Sequence, residues 1–165
     1  MTKKNIILTN EQIVQKTRRI AFQIYENNTS EKEVILAGIE NKGYLFAEKI
    51  ALLLEEVSPL KAKLCKVKID KKTPLSKIST SLTSEEYQNK SVIVIDDVLN
   101  TGSTLIYGIK HFLEVPIKKL QTAVLVDRNH KNYPVKVDYK GISLSTSLSE
   151  TVKVNFGKNS KGELF

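Results

Sequence analysis

Asp96 and Asp97 stand side by side at the end of an uninterrupted apolar run, Val92-Ile93-Val94-Ile95. Neighbouring carboxylates repel one another unless a cation or a donor-rich group lies between or above them. Sugar hydroxyls and a divalent ion both meet that need. The next polar residues are Asn100-Thr101-Gly102-Ser103-Thr104, at the expected start of a helix. Glycine permits a tight bend, successive N–H groups point outward, and three hydroxyls add donors. The positive end of the helix dipole faces the same point, which makes an anion pocket of phosphate size. Acids for hydroxyls, one turn before a nest for phosphate, describe a sugar phosphate, with ribose 5-phosphate the natural fit. The string is neither a Walker A loop nor a Gly-x-Gly-x-x-Gly fingerprint, which disfavours ordinary NTPase and dinucleotide chemistry.

A frame of alternating strands and helices must hold these groups. Residues 6–8 read as a short strand. Thr9 or Asn10 caps a helix to about residue 26, with Ile13, Thr17, Ile20 and Ile24 on one stripe. Residues 34–37 read as a buried strand ahead of Gly38, and a helix follows over 44–56, ended by Ser58-Pro59. Residues 64–69 alternate apolar side chains with lysines, as a half-exposed strand does. The polar stretch 70–90 reads as a loop with an edge strand near 78–82. Residues 92–95, without polar interruption, belong at the centre of a parallel sheet. A helix over 103–113 stops before Pro116. Further strands are expected at 122–126, 135–139 and 151–156, and 158–165 reads as a frayed polar tail. The fold class is therefore α/β: a doubly wound, mainly parallel sheet flanked by helices, forming a single domain over 1–165. Ligands of such sheets sit at the carboxyl ends of strands, so functional residues should follow Ala37, Ile95 and Val126.

The chain has 165 residues, enough for one buried core, with 41% hydrophobic and 27% charged residues, which excludes wholesale disorder. The single cysteine, Cys65, excludes an internal disulfide and a multi-cysteine zinc site. No apolar run is long enough to span a membrane, and the N-terminus lacks a signal-peptide core, so a reducing cytoplasm is expected. The net charge of +8 favours an anionic partner, nucleic acid or a phosphorylated metabolite. Only Arg18, Arg19 and Arg128 are arginines among 26 cations, and lysines suit diffuse attraction better than base reading. Residues 61–77 hold seven lysines and one acid, Asp70, and read chiefly as a solvated edge.

The string from Val92 to Thr104 resembles the phosphoribosyl-diphosphate (PRPP) motif of the type I phosphoribosyltransferases. Ile35-Leu36-Ala37-Gly38-Ile39-Glu40-Asn41-Lys42-Gly43 is similar to the diphosphate loop of that family. Ala123-Val124-Leu125-Val126-Asp127-Arg128-Asn129-His130 is similar to its base-side loop, and Val137-Asp138-Tyr139-Lys140-Gly141 to the strand after it. The likeness runs from about Ile6 to Val154. Within the family it is greatest to the branch that joins uracil phosphoribosyltransferase activity to attenuation of pyrimidine operons. The resemblance implies a type I core with a small hood. It implies that Asp96 and Asp97 hold the ribose hydroxyls and help Mg²⁺, and that Asn100, Thr101, Gly102, Ser103 and Thr104 bind the 5′-phosphate. Asn41, Lys42 and Gly43 would bind diphosphate, often through a strained peptide, with Lys42 stabilising it as it leaves. Val126, Asp127, Arg128 and His130, with the stretch after Gly141, would frame the base. Implied partners are PRPP, a nucleobase or nucleoside monophosphate, RNA, and further copies of the chain in a dimer or larger oligomer. The alternatives are a UMP-sensing RNA-binding regulator, and a non-catalytic nucleotide-binding member.

Departures from the family pattern are specific. Glu40 stands beside the diphosphate loop, and Lys42 replaces an arginine. The stretch 70–90 is shorter than the usual lid and lacks its tyrosine–arginine pair, with Lys71 and Lys72 as partial substitutes. Asn100 stands where purine-using relatives carry an acid, and Phe22 where a polar RNA contact is expected. His111 is expected at the surface, Cys65 as a buried or edge thiol, and Tyr139 in the core. Asp138 is open between orienting the base loop, holding a second metal and a structural role.

Overall fold

The computed structural model describes residues 4–165. Its first layer is a six-stranded sheet built from β2 (Glu33–Ile39), β3 (Lys61–Lys68), β4 (Ser79–Thr80), β5 (Ser91–Leu99), β6 (Lys119–Asp127) and β7 (Tyr139–Ser143), in the order β4-β3-β2-β5-β6-β7. All neighbours run parallel except the short edge strand β4, which is antiparallel to β3. Every residue of β5 is buried, as its unbroken apolar run requires of a central strand covered on both faces. Residues of alternating parity feed two cores. Val34, Leu36, Ile93 and Ile95 pack with α1 (Asn10–Glu26) and α2 (Lys42–Val57). Ile35, Ala37, Val92 and Val94 pack with Leu105 and Phe112 of α4 (Ser103–Phe112) and Tyr87 of α3 (Ser84–Tyr87).

Local chemistry explains the element ends. Thr9 is the cap of α1: its hydroxyl accepts from Gln12 N–H at 3.2 Å while the Gln12 side chain accepts from Thr9 N–H at 3.0 Å. Thr83 and Glu86 form the same reciprocal box at α3. That helix lies inside the stretch expected to be a loop, and its buried Tyr87 meets Phe112 edge-on at 4.8 Å.

Two further expectations need correction. The strand expected at 135–139 starts at Tyr139 and runs to Ser143. Pro134 lacks an N–H, and the segment behind it is held by side chains instead: Thr122 Oγ1 donates to Lys136 O at 2.5 Å, and Asp138 accepts from Thr122 N–H at 3.0 Å. The tail expected to fray contains β9 (Lys161–Leu164), the middle strand of a separate antiparallel hood ordered β1-β9-β8, with β1 at Asn5–Leu8 and β8 at Val152–Asn155. Glu163 is buried there against Lys4 at 2.9 Å and Lys161 at 2.8 Å. Those cations meet the need of a buried carboxylate.

Candidate active site

Three loops leave the carboxyl ends of β2, β5 and β6, which are direct neighbours in the sheet, so the expected site residues converge on one edge of the molecule. Asp96 and Asp97 are both buried within β5, which continues past the expected end at Ile95 to Leu99 because Val98 and Leu99 still pair with Val126 and Asp127 of β6. The Asp96 carboxylate accepts from Asp97 N–H at 2.9 Å, and Lys71 Nζ approaches it at 3.6 Å. Burial raises the Asp96 pKa most, the adjacent Asp97 raises it further, and Lys71 opposes both, leaving it at about 8. Lys71 thus reaches from the 70–90 stretch to Asp96.

Gly102 adopts φ +89°, a left-handed conformation open to glycine at little cost, and turns the chain into α4. The loop opens on a cavity of about 210 Å³ lined by Lys71, Asp96, Asn100, Thr101, Ser103 and Thr104, among others. Acid, cation, hydroxyls and a helix start therefore share one polar hollow. Gly43, the second residue of α2, lies tight against β5: a Cβ there would lie 2.7 Å from Ile95 O and 3.0 Å from Asp96 Cα. The missing side chain lets the start of α2 abut the acid pair. The Glu40–Asn41 peptide is cis, and Asn41 is exposed while Lys42 is half-buried. Glu40 and Asn41 line a second hollow of about 510 Å³ together with Lys68, Asp70 and Lys77.

The base-side residues divide. Val126 is buried core. The Asp127 carboxylate accepts from Asn129 N–H at 3.0 Å and lies 3.9 Å from Lys140 Nζ, lining a separate hollow with Lys131, Lys136 and Lys140. His130 has its ring nitrogen Nε2 against Thr146 O. Arg128 donates from Nη1 to Asn100 Oδ1 at 2.8 Å, from Nε to Thr146 Oγ1 at 3.1 Å, and from Nη2 to Ser147 O at 3.3 Å and Glu150 O at 2.5 Å. Thr146, Ser147 and Glu150 as partners of Arg128 were not legible in sequence, because no local spacing marks a contact between loops.

Residues outside the site also have clear places. Asp138 holds the start of β6 through Thr122 N–H, a structural role away from the base loop. Tyr139 is buried, donates to Gln121 at 2.6 Å, and burial pushes its phenol up to about 12. Cys65 is a buried thiol. His111 is half-buried rather than at the surface, with Nε2 enclosed and lacking a hydrogen-bond partner among the described residues. Among the described residues no cluster of three or more His, Cys, Asp or Glu side chains forms a metal cage. No helix among them is long and apolar enough to cross a membrane.

The sequence profile of the family described as "Phosphoribosyl transferase domain" matches residues 4–157. The chain is 36% identical over 163 residues to the Bifunctional protein PyrR of Clostridium acetobutylicum, covering 94% of this chain and 92% of that one. It is 34% identical over 176 residues to the Bifunctional protein PyrR of Bacillus pumilus, covering 99% and 97%. Among solved structures, hypoxanthine phosphoribosyltransferase of Trypanosoma cruzi matches with a TM-score of 0.73 at 18% identity, covering 85% of this chain and 81% of that one. A hypoxanthine-guanine phosphoribosyltransferase of Bacillus anthracis matches at 0.70 and 18%, covering 86% and 84%. At these identities the structural likeness speaks for the fold.

Proposed function

Since the chain belongs to the phosphoribosyl transferase domain family, we propose that it joins a nucleobase, uracil first among them, to PRPP within a single domain spanning residues 1–165. A ring nitrogen of the base bonds to the ribose C1, the C1–oxygen bond to diphosphate breaks, and its electron pair leaves with diphosphate. The base proton passes to solvent. The products are a nucleoside 5′-monophosphate and diphosphate.

The observation that carries this reading is the convergence of Asp96 and the Asn100–Thr104 loop on one hollow of about 210 Å³. Asp96 and Asp97 hold the ribose hydroxyls, and the loop holds the 5′-phosphate through its N–H groups and hydroxyls. Asn41, Lys42 and Gly43 receive diphosphate, where the Lys42 cation stabilises the leaving charge. Val126, Asp127, Arg128 and His130 border the base side. Lys71, 3.6 Å from Asp96, pivots to the incoming phosphates as the short lid closes. No side-chain nucleophile is needed: positioning and charge stabilisation carry the reaction.

The family generally uses Mg²⁺, and the donor set fits it. Two adjacent carboxylates without a full protein cage suit a cation that keeps waters and takes substrate oxygens as ligands. Asp96 and Asp97 would hold it, directly or through water or ribose. When bound, Mg²⁺ neutralises charge on the leaving diphosphate.

The test is Mg²⁺-dependent consumption of PRPP with uracil, followed by release of diphosphate and UMP. Turnover with uracil is expected; no turnover with any common nucleobase overturns the reading in favour of a non-catalytic binder. A second role, a UMP-sensing RNA-binding regulator, is favoured by near full-length similarity to relatives named bifunctional. Its basic surface rests chiefly on lysines, since Arg19 donates to Lys140 O and Gly141 O and Arg18 is in an exposed pair with Glu56 at 3.2 Å. UMP-enhanced, sequence-selective RNA binding is expected, and binding that follows salt alone would overturn that role. We place the protein in the cytoplasm as a dimer or larger oligomer. Exposed Val14 and Leu52 beside an apolar groove on α1 and α2 support self-association, which sedimentation would measure.

A further inference from the structure

We infer that Arg128 is a positioning residue that couples the phosphate loop to the base-framing loop, so that filling one pocket raises affinity in the other. This rests on the proposed function, which identifies those two loops as the phosphate and base sides.

A guanidinium carries five N–H donors. Four of those on Arg128 go to protein oxygens: one to Asn100 in the phosphate loop, three to Thr146, Ser147 and Glu150 in the loop after β7. The group is thus committed to bridging rather than to reading a base. Asn100 is the first residue of the phosphate loop, and its side-chain oxygen is the acceptor.

The same short segment grips the phosphate loop through its backbone and the other loop through a second side chain. Arg128 N–H donates to Leu99 O at 3.2 Å, and Asn132 and Tyr133 N–H donate to Thr101 O at 2.8 and 3.1 Å. On the other side, His130 Nε2 meets Thr146 O. The loop itself is closed mainly by local contacts, such as Ser147 N–H to Glu150 Oε2 at 2.6 Å. Its start is tied by Leu144 N–H to Asp127 O at 2.8 Å and its end by Thr151 to Phe165, so between those anchors its placement against the phosphate loop depends on His130 and the Arg128 fork. Asn129, at φ +60°, fixes the bend that aims that fork, with its N–H bound by the Asp127 carboxylate. An anion that orders Asn100–Thr104 holds the Asn100 side chain still. Arg128 is then held, and the base loop with it. Coupling of this kind is reciprocal by thermodynamic necessity.

The experiment is a calorimetric double-mutant cycle using UMP and ribose 5-phosphate as probes. The ratio of their affinities isolates the contribution of the base from direct contacts to phosphate. In Arg128→Gln and in Asn100→Ala that ratio is expected to fall by about tenfold each, and by no more in the double variant, since both break one bridge. Thr146→Val removes one acceptor while leaving the guanidinium intact, and should lower the ratio in the same direction. This keeps the test sound if Arg128→Gln melts early. Multiplying losses in the double variant would show that Arg128 acts on the base by itself and overturn the inference. So would an unchanged ratio in Arg128→Gln and Thr146→Val. Failure of the wild-type protein to bind either probe would overturn the proposed function, and this inference with it.

Discussion

Asp96 and Asp97 differ in what surrounds them, and that difference makes each testable. Asp97→Asn keeps size and fold while removing a charge from the ribose side. PRPP affinity is expected to fall about tenfold or more, read by calorimetry, with an unchanged melting temperature. Asp96 has its carboxyl pushed up to about 8, first by burial and then by Asp97. Its unfolded value is near 4, so between about pH 4 and pH 8 the native state holds a proton that the unfolded chain releases. Stability therefore declines as pH rises through that window. Asp96→Asn, which cannot ionise, is expected to flatten the decline and to melt higher than wild type at pH 8, as scanning calorimetry across pH would show. The acid pair and Gly102 were readable from neighbouring letters because their chemistry is local. The reach of Lys71 to Asp96 depends on how the lid folds, so the sequence offered it only as a substitute lid cation.

Elements were legible where one physical cause dominated. The run Val92–Ile95 has no reading other than a strand covered on both sides, and the stripe Ile13, Thr17, Ile20, Ile24 marks one buried helix face. The strand near 135–139 misleads because Val135 and Val137 alternate as a strand would, while Pro134 and the side-chain bonds of Asp138 delay pairing until Tyr139. Thr83 and Glu86 stand at capping-box spacing, a signal present in the sequence and outweighed by its polar setting. Gly141 gives β7 its close approach to β6: a Cβ would stand 2.5 Å from Leu125 O. Gly141→Ala must push the β6 and β7 backbones apart and is expected to destabilise by about 1–3 kcal/mol in urea titration. On the proposed assignment of the loop after Ser143 to the base, uracil affinity should fall too.

At the scale of the whole molecule, a large parallel sheet carries the site and a three-stranded hood closes one side. The hood was only half legible. Lys161-Gly162-Glu163-Leu164 has little apolar content, and it becomes a strand only because β1 and β8 flank it. Removing residues 158–165 takes out the middle of that sheet and leaves β1 without a partner. The melting temperature is expected to drop by on the order of 10 °C, whereas a frayed tail would be lost without effect. The pairing of β1 with β9 also bears on biosynthesis. A nascent chain presents Asn5–Leu8 long before Lys161–Leu164 leaves the ribosome. The early strand must wait, unpaired, while the large sheet condenses. Ribosome-bound intermediates should thus carry an ordered core and an unlatched cover.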